Sequence, residues 1–281
     1  MRKSPFGVSA TAALVTAGTL ALSACGEGSN DSAAADSYGL QDPGTIIAAV
    51  STDQPPFASA TKDGKPLGFI VDLTNEVARR LHLKVTYKST TVPGALQGLS
   101  SGQYDLAASG LGVTPERQKT VSFTKGLYWS TTAVLVTKDS DAGTLADFKG
   151  KHVGAVTGAV QEDFVKDRMP GAELTSFQTQ PAAVSKLLSG GLDAFVVGGP
   201  DSEAYCKQYK NLRVAVSAPV DHATAMAVKK SNTRLQQAID KQIAAMVQDG
   251  SFLKTYDKWF TKPPAPQLIN IWPGLKNQAA K

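Results

Sequence analysis

From Thr45 onward, short apolar runs alternate with segments of helical period, and the pattern restarts once along the chain. Thr45–Val50 reads as a buried strand, and Leu73, Val77 and Leu81 mark one face of a helix at four-residue spacing. Lys84–Tyr87 is the next strand, a short helix carries Ala95, Leu96 and Leu99, and Asp105–Ala108 is a further buried strand. Ser130–Thr137 reads as one extended strand, after which the alternation begins again. Thr144-Leu145-Ala146-Asp147 has the form of a capping box, Val153–Val156 a strand and Gln161–Arg168 a helix. Pro181–Leu188 is helical, and Leu192–Val197, Leu212–Val216 and Ala223–Val228 are strands. Such β-then-α repetition predicts an α/β protein with open, mostly parallel sheets flanked by helices.

The chain ends in two predicted helices. Leu235, Ile239, Ile243, Met246 and Val247 form an apolar stripe, Asp249-Gly250 stops it, and a second helix carries Phe252, Leu253, Tyr256 and Trp259. Beyond Lys262, three prolines argue against helix, and residues 263–281 are expected to lie on the surface as a tail.

One stretch carries the chemistry. Ser109-Gly110-Leu111-Gly112-Val113-Thr114-Pro115-Glu116-Arg117 reads as a strand end, a glycine bend and a helix start. Thr114 suits an N-cap and Pro115 the first helical position. Gly110 and Gly112 allow positive φ and close approach of a ligand to the backbone. Arg117 on the first turn, beside free backbone N–H groups, makes a receptor for a carboxylate; the alternative is a surface arginine paired with an acid. Thr157–Val160 repeats the strand-bend-helix arrangement in the second half.

The N-terminus reads as a targeting segment. Arg2 and Lys3 precede an apolar region, Val8–Leu22, too short for a confident membrane span, which ends in Leu22-Ser23-Ala24-Cys25. That ending resembles a bacterial lipobox, which implies lipidation of Cys25, cleavage after residue 24 and a flexible tether over 25–39, small and polar in composition. The alternative is an ordinary secreted protein in which Cys25 is incidental. Cys206 is then left without a partner for a disulfide. His82, His152 and His222 lack metal-ligand spacing, so neither metal nor cofactor is expected. The net charge of +5 is mild and without a Lys/Arg block, which argues against nucleic acid.

Gly68-Phe69-Ile70-Val71-Asp72-Leu73, Ser101-Gly102-Gln103-Tyr104-Asp105, Thr114–Arg117, Leu145–Gly154 and Tyr256–Phe260 together resemble the family 3 extracellular solute-binding proteins, the receptors of polar amino acid ABC importers. The resemblance covers about residues 45–261. It implies a type II periplasmic-binding-protein fold of two lobes: residues 40–132 plus 224–262, and residues 133–223. It implies a monomeric lipoprotein on the outer face of the cytoplasmic membrane, delivering a small polar solute from the interlobe cleft to a permease and its ATPase. Relatives of this fold include a cyclohexadienyl dehydratase, so an enzyme is the alternative, with Glu162 the candidate general acid.

By resemblance, Arg117 clamps the ligand carboxylate, helped by Ser109, Gly110 and Gly112 and, across the cleft, by Gly158, Ala159 and Val160. The sequence departs from the family pattern at several of these places. Hydroxyl residues are usual where Gly112 and Ala159 or Val160 stand, an aromatic where Val92 stands, and an acid for the ligand ammonium after Val197, where Gly198-Gly199-Pro200 occurs. Asp201 is the nearest acid; Asp53, Asp221 and His222 are further polar candidates, each otherwise a solvated loop residue.

Overall fold

The computed structural model describes residues 38–277. The expected signal segment, Cys25 and most of the expected tether lie outside the described residues. At residue 38 the chain is already attached: the Asn232 side chain donates to the Tyr38 carbonyl at 2.9 Å.

Strand β1 (Thr45–Val50) is followed by a small antiparallel sheet of β2 (Asp53–Gln54), β3 (Ala58–Ala60) and β4 (Pro66–Leu67), then by helix α1 (Phe69–Arg80). Next come β5 (Lys84–Ser89), α2 (Val92–Ser101), β6 (Leu106–Gly112), a short helix α3 (Pro115–Thr120) and β7 (Val121–Phe123). Strand β8 (Tyr128–Thr137) crosses into the second lobe, which holds β9 (His152–Val156), α4 (Val160–Arg168), β10 (Glu173–Phe177), α5 (Gln180–Leu188), β11 (Ala194–Gly198) and α6 (Gly199–Gln208). Strand β12 (Leu212–Lys229) returns, and α7 (Thr233–Asp249), α8 (Ser251–Trp259) and α9 (Pro266–Ile271) close the chain.

The strand order is β10-β9-β11-β8-β12-β6-β1-β5, with β7 beside β12. Both flanks are parallel: β1 pairs with β5 and β6, and β9 with β10 and β11. The middle is antiparallel, because β8 and β12 run against each other from Leu212–Thr137 to Thr224–Tyr128. The sequence suggests two separate strands over 212–228. They form a single 18-residue strand, long enough to serve both lobes, so one hydrogen-bond ladder passes through the waist of the molecule.

The apolar side chains divide accordingly. Ile46, Phe69, Leu73, Leu106, Ile239, Ile243, Met246, Phe252 and Tyr256 are buried together in lobe one. Val134, Phe148, Val153, Val165 and Val196 cover one face of the lobe-two sheet, and Leu135, Val184, Leu187 and Phe195 the other. Side chains thus point alternately to two helix-covered faces, as a sheet buried on both sides requires.

The C-terminal segment corrects the expectation of a surface tail. Pro266 is the first residue of α9, where its missing N–H costs nothing, and Leu268, Trp272 and Leu275 are buried in the lobe-one core. The Trp272 indole donates to the Gly126 carbonyl at 2.6 Å. The proline cluster therefore ends α8 and starts a new helix.

Candidate functional site

Gly110 and Gly112 differ from the sequence expectation. Both belong to strand β6, and neither takes a positive φ. They are glycines for reasons of contact. A Cβ on Gly110 would stand 2.9 Å from the Phe57 ring, and one on Gly112 2.8 Å from His222 Nε2. The left-handed glycine of the site is Gly158, at φ 70°, in the turn between β9 and α4.

The Thr114 cap forms as expected, its hydroxyl accepting from Arg117 N at 3.3 Å. It starts α3 immediately after β6, which sets Arg117 on the rim of lobe one. The guanidinium Nη1 donates to the Gly112 carbonyl at 2.8 Å, and Nη2 crosses to the Gly158 carbonyl of lobe two at 2.9 Å. Among the described residues Arg117 makes no ion pair. Burial lowers its pKa to about 10, opposed by the charge of Asp163, so it stays cationic at neutral pH.

Around this guanidinium lies a cavity of about 50 Å³ between the lobes. Of the residues named from the sequence, Val92, Gly110, Gly112, Arg117, Ala159 and Val160 line it. Gln54, Ser130, Thr131, Gln161, Val220, His222 and Thr224 line it too. A larger hollow of about 950 Å³, bordered by Lys138, Asp147 and Asp193, opens on lobe two alone and contains none of these groups.

His222 reaches the cavity through an irregularity. The β8–β12 register shifts between Pro219 and Ala223, so residues 220–222 bulge out of the ladder. The Trp129 indole holds the bulge by donating to the Val220 carbonyl at 3.3 Å. His222 Nδ1 lies 3.1 Å from the Asp221 carboxylate, which leaves Nε2 facing Gly112. That hydrogen bond holds the exposed Asp221 carboxyl below its ordinary range.

Of the residues named from the sequence, Ser109, Asp53, Gly198, Asp201, Gly158, Asp221 and Glu162 do not line the cavity. The Ser109 hydroxyl accepts from Ser51 N at 2.7 Å in the interior. Asp53 accepts from the Ser51 hydroxyl at 2.8 Å and, across the cleft, from Gln180 N at 3.0 Å, at the first turn of α5. Gly198 caps α6. Asp201 is buried in the first turn of α6 and accepts from Gln180 Nε2 at 3.0 Å. Burial pushes its pKa up to about 7, with the Asp53 charge adding to the shift. Gln180, which links both acids, carried no signal beyond following the N-cap Thr179.

Chain residues 46–262 match the profile of the bacterial extracellular solute-binding proteins, family 3. The chain belongs to this family. Among relatives of this solute-binding protein is the histidine-binding periplasmic protein of Salmonella typhimurium, 32% identical over 216 residues, which span 73% of this chain and 83% of that one. Among solved structures, an ancestral arginine-binding protein bound to glutamine superposes with a TM-score of 0.75 at 32% identity, covering 78% of this chain and 99% of that one. An ancestral amino-acid-binding protein, described as a precursor of cyclohexadienyl dehydratase, superposes with a TM-score of 0.72 at 29% identity, covering 78% and 96%. No helix among the described residues is long and apolar enough to cross a membrane.

Proposed function

We propose that this family 3 solute-binding protein is the lipid-anchored receptor of an ABC importer. It takes an amino acid or amino-acid-like small polar solute into the cleft between residues 40–132 plus 224–262 and residues 133–223. It then presents the closed, loaded form to a membrane permease and its ATPase. The observation that carries this reading is Arg117, a half-buried guanidinium between two lobes whose partners among the described residues are backbone carbonyls and no carboxylate. An anionic ligand group supplies the missing charge, and by touching both lobes it favours closure. The glutamine and arginine bound by similar ancestral proteins have such a carboxylate.

Binding without turnover accords with the state of Glu162, the candidate general acid. It accepts from the Ser176 hydroxyl at 2.6 Å and from Gly158 N at 2.7 Å. The Ser176 bond, followed by that from Gly158 N and the charge of Lys166, outweighs burial and holds its pKa below the usual carboxylate value. A carboxylate so held is a poor proton donor at neutral pH and a good brace for the Gly158 turn.

The test is native mass spectrometry of the protein as purified, followed by calorimetry of whatever is released. A bound carboxylate-containing solute that rebinds without chemical change supports the receptor. Release of a chemically altered product after incubation with that solute would refute it.

A further inference from the structure

Two of the family's usual polar side chains are replaced in this chain by glycine, at Gly112 and Gly198, and the two vacated spaces are filled differently. At Gly112 the space is taken by an imidazole facing the cavity: His222 Nε2 stands 2.8 Å from where a Cβ would be. The Gly112 carbonyl accepts from Arg117 Nη1 on the same residue, so the imidazole and the guanidinium flank one peptide unit. Asp221 braces the ring at Nδ1, 3.1 Å away, which leaves Nε2 towards the cavity. At Gly198 the space is taken by Asp201, whose Oδ2 stands 2.5 Å from where a Cβ would be. This carboxyl faces protein: Asp201 is 4% exposed and bonded to Gln180, and it does not border the cavity. Asp53 is likewise occupied by Ser51 and Gln180. No Asp or Glu is among the described residues that line the cavity.

We infer, resting on the carboxylate-receptor reading above, that the cleft reads its ligand from the carboxylate side alone. Arg117 and His222 take the anionic group from two directions around Gly112, and no acid meets an ammonium. The solutes it favours are therefore small carboxylates, with or without an amino group. A guanidinium and an imidazole around one oxyanion give it hydrogen bonds from two sides, that from Arg117 charge-assisted. A zwitterion brings an ammonium that must give up water without an acid to replace it, so its amino group adds no affinity.

Matched pairs of probes test this: L-alanine against propionate, L-aspartate against succinate and L-glutamate against glutarate, titrated by calorimetry into protein stripped of ligand by unfolding and refolding. At least one pair should bind, with the two members within about threefold of each other in Kd. His222→Ala should weaken the carboxylates by roughly tenfold or more and His222→Gln, which keeps a side-chain donor, by less, with Arg117→Ala weakening both members about thirtyfold or more. Melting curves without ligand separate these effects from misfolding. The inference alone is overturned if an amino acid binds through Arg117 at least about thirtyfold tighter than its deaminated partner and Asp201→Asn abolishes that preference. It is also overturned if His222→Ala leaves carboxylate binding unchanged. Binding of none of the probes, or binding indifferent to Arg117→Ala, sinks the carboxylate receptor itself.

Discussion

Arg117 Nη2 donates across the cleft to the carbonyl of Gly158, 2.9 Å away, while Glu162 accepts from the Gly158 N–H at 2.7 Å. One peptide turn of lobe two is therefore held from both sides, by a cation of lobe one and by its own helix. The contact sets the spacing of the lobes where Gly158 already lies close to Pro93.

Removal of the guanidinium should be felt mainly in binding. Arg117→Ala is expected to weaken a bound carboxylate solute by at least ~2–3 kcal/mol, the scale for losing one partner of a desolvated charge pair. Arg117→Lys should recover little, since an ammonium lacks the planar fork that reaches Gly112 and the ligand together. Calorimetry on the three proteins decides it. An amine lacking any carboxylate that binds equally well to Arg117→Ala would contradict the assignment.

Asp201 should make the fold pH-dependent. Its pKa is raised by burial from 3.8 to about 7, so the folded state holds this proton more tightly than the unfolded chain. Stability from this group is full below about pH 4 and is lost as pH rises towards 7, by a few kcal/mol at most. Asp201→Asn should remove that slope, making the mutant relatively more stable at pH 7 than at pH 4. Denaturant titrations of both proteins across this range measure the difference; parallel curves would show that the carboxyl is ionised at little cost.

The C-terminal segment should be structural. Trp272→Ala empties a buried site in the lobe-one core and deletes the indole bond to Gly126, for an expected loss of about 3–5 kcal/mol. Truncation after Lys262 should lower the melting temperature further by also removing Leu268 and Leu275. A truncated protein that melts with the full chain would mean the segment merely lies against the surface.

The proposed lipid anchor is Cys25, at the end of Leu22-Ser23-Ala24-Cys25. Cys25→Ser should move the protein from the membrane fraction to the soluble one, followed by fractionation and immunoblotting. Unchanged membrane association would point to another attachment.

Much of the architecture is legible in the residues because periodicity is local. Leu73 and Val77 at helical spacing, the Ile239-Ile243-Met246 stripe and the strand-bend-helix at Thr114 all form where the sequence places them. These signals require only that each segment bury one face, a condition written into a dozen neighbouring residues. Arg117 is likewise legible, since an arginine just after a Thr-Pro helix start is positioned by the backbone it follows.

What the tertiary structure decided lies in contacts between distant segments. No local pattern says that a Cβ on Gly112 would meet His222, or that Asp53 and Asp201 would both bond to Gln180 and leave no acid among the described residues lining the cavity. His222 enters only because β12 shifts register against β8, a property of the pair rather than of either strand. The tail's helix depends in the same way on lobe one offering Trp272 a core and the Gly126 carbonyl as partner. The lobes and the place of Arg117 between them thus follow from short-range pattern, while the lining of the cleft depends on which side chains fill the space that glycines vacate, and that is set only when the whole chain packs.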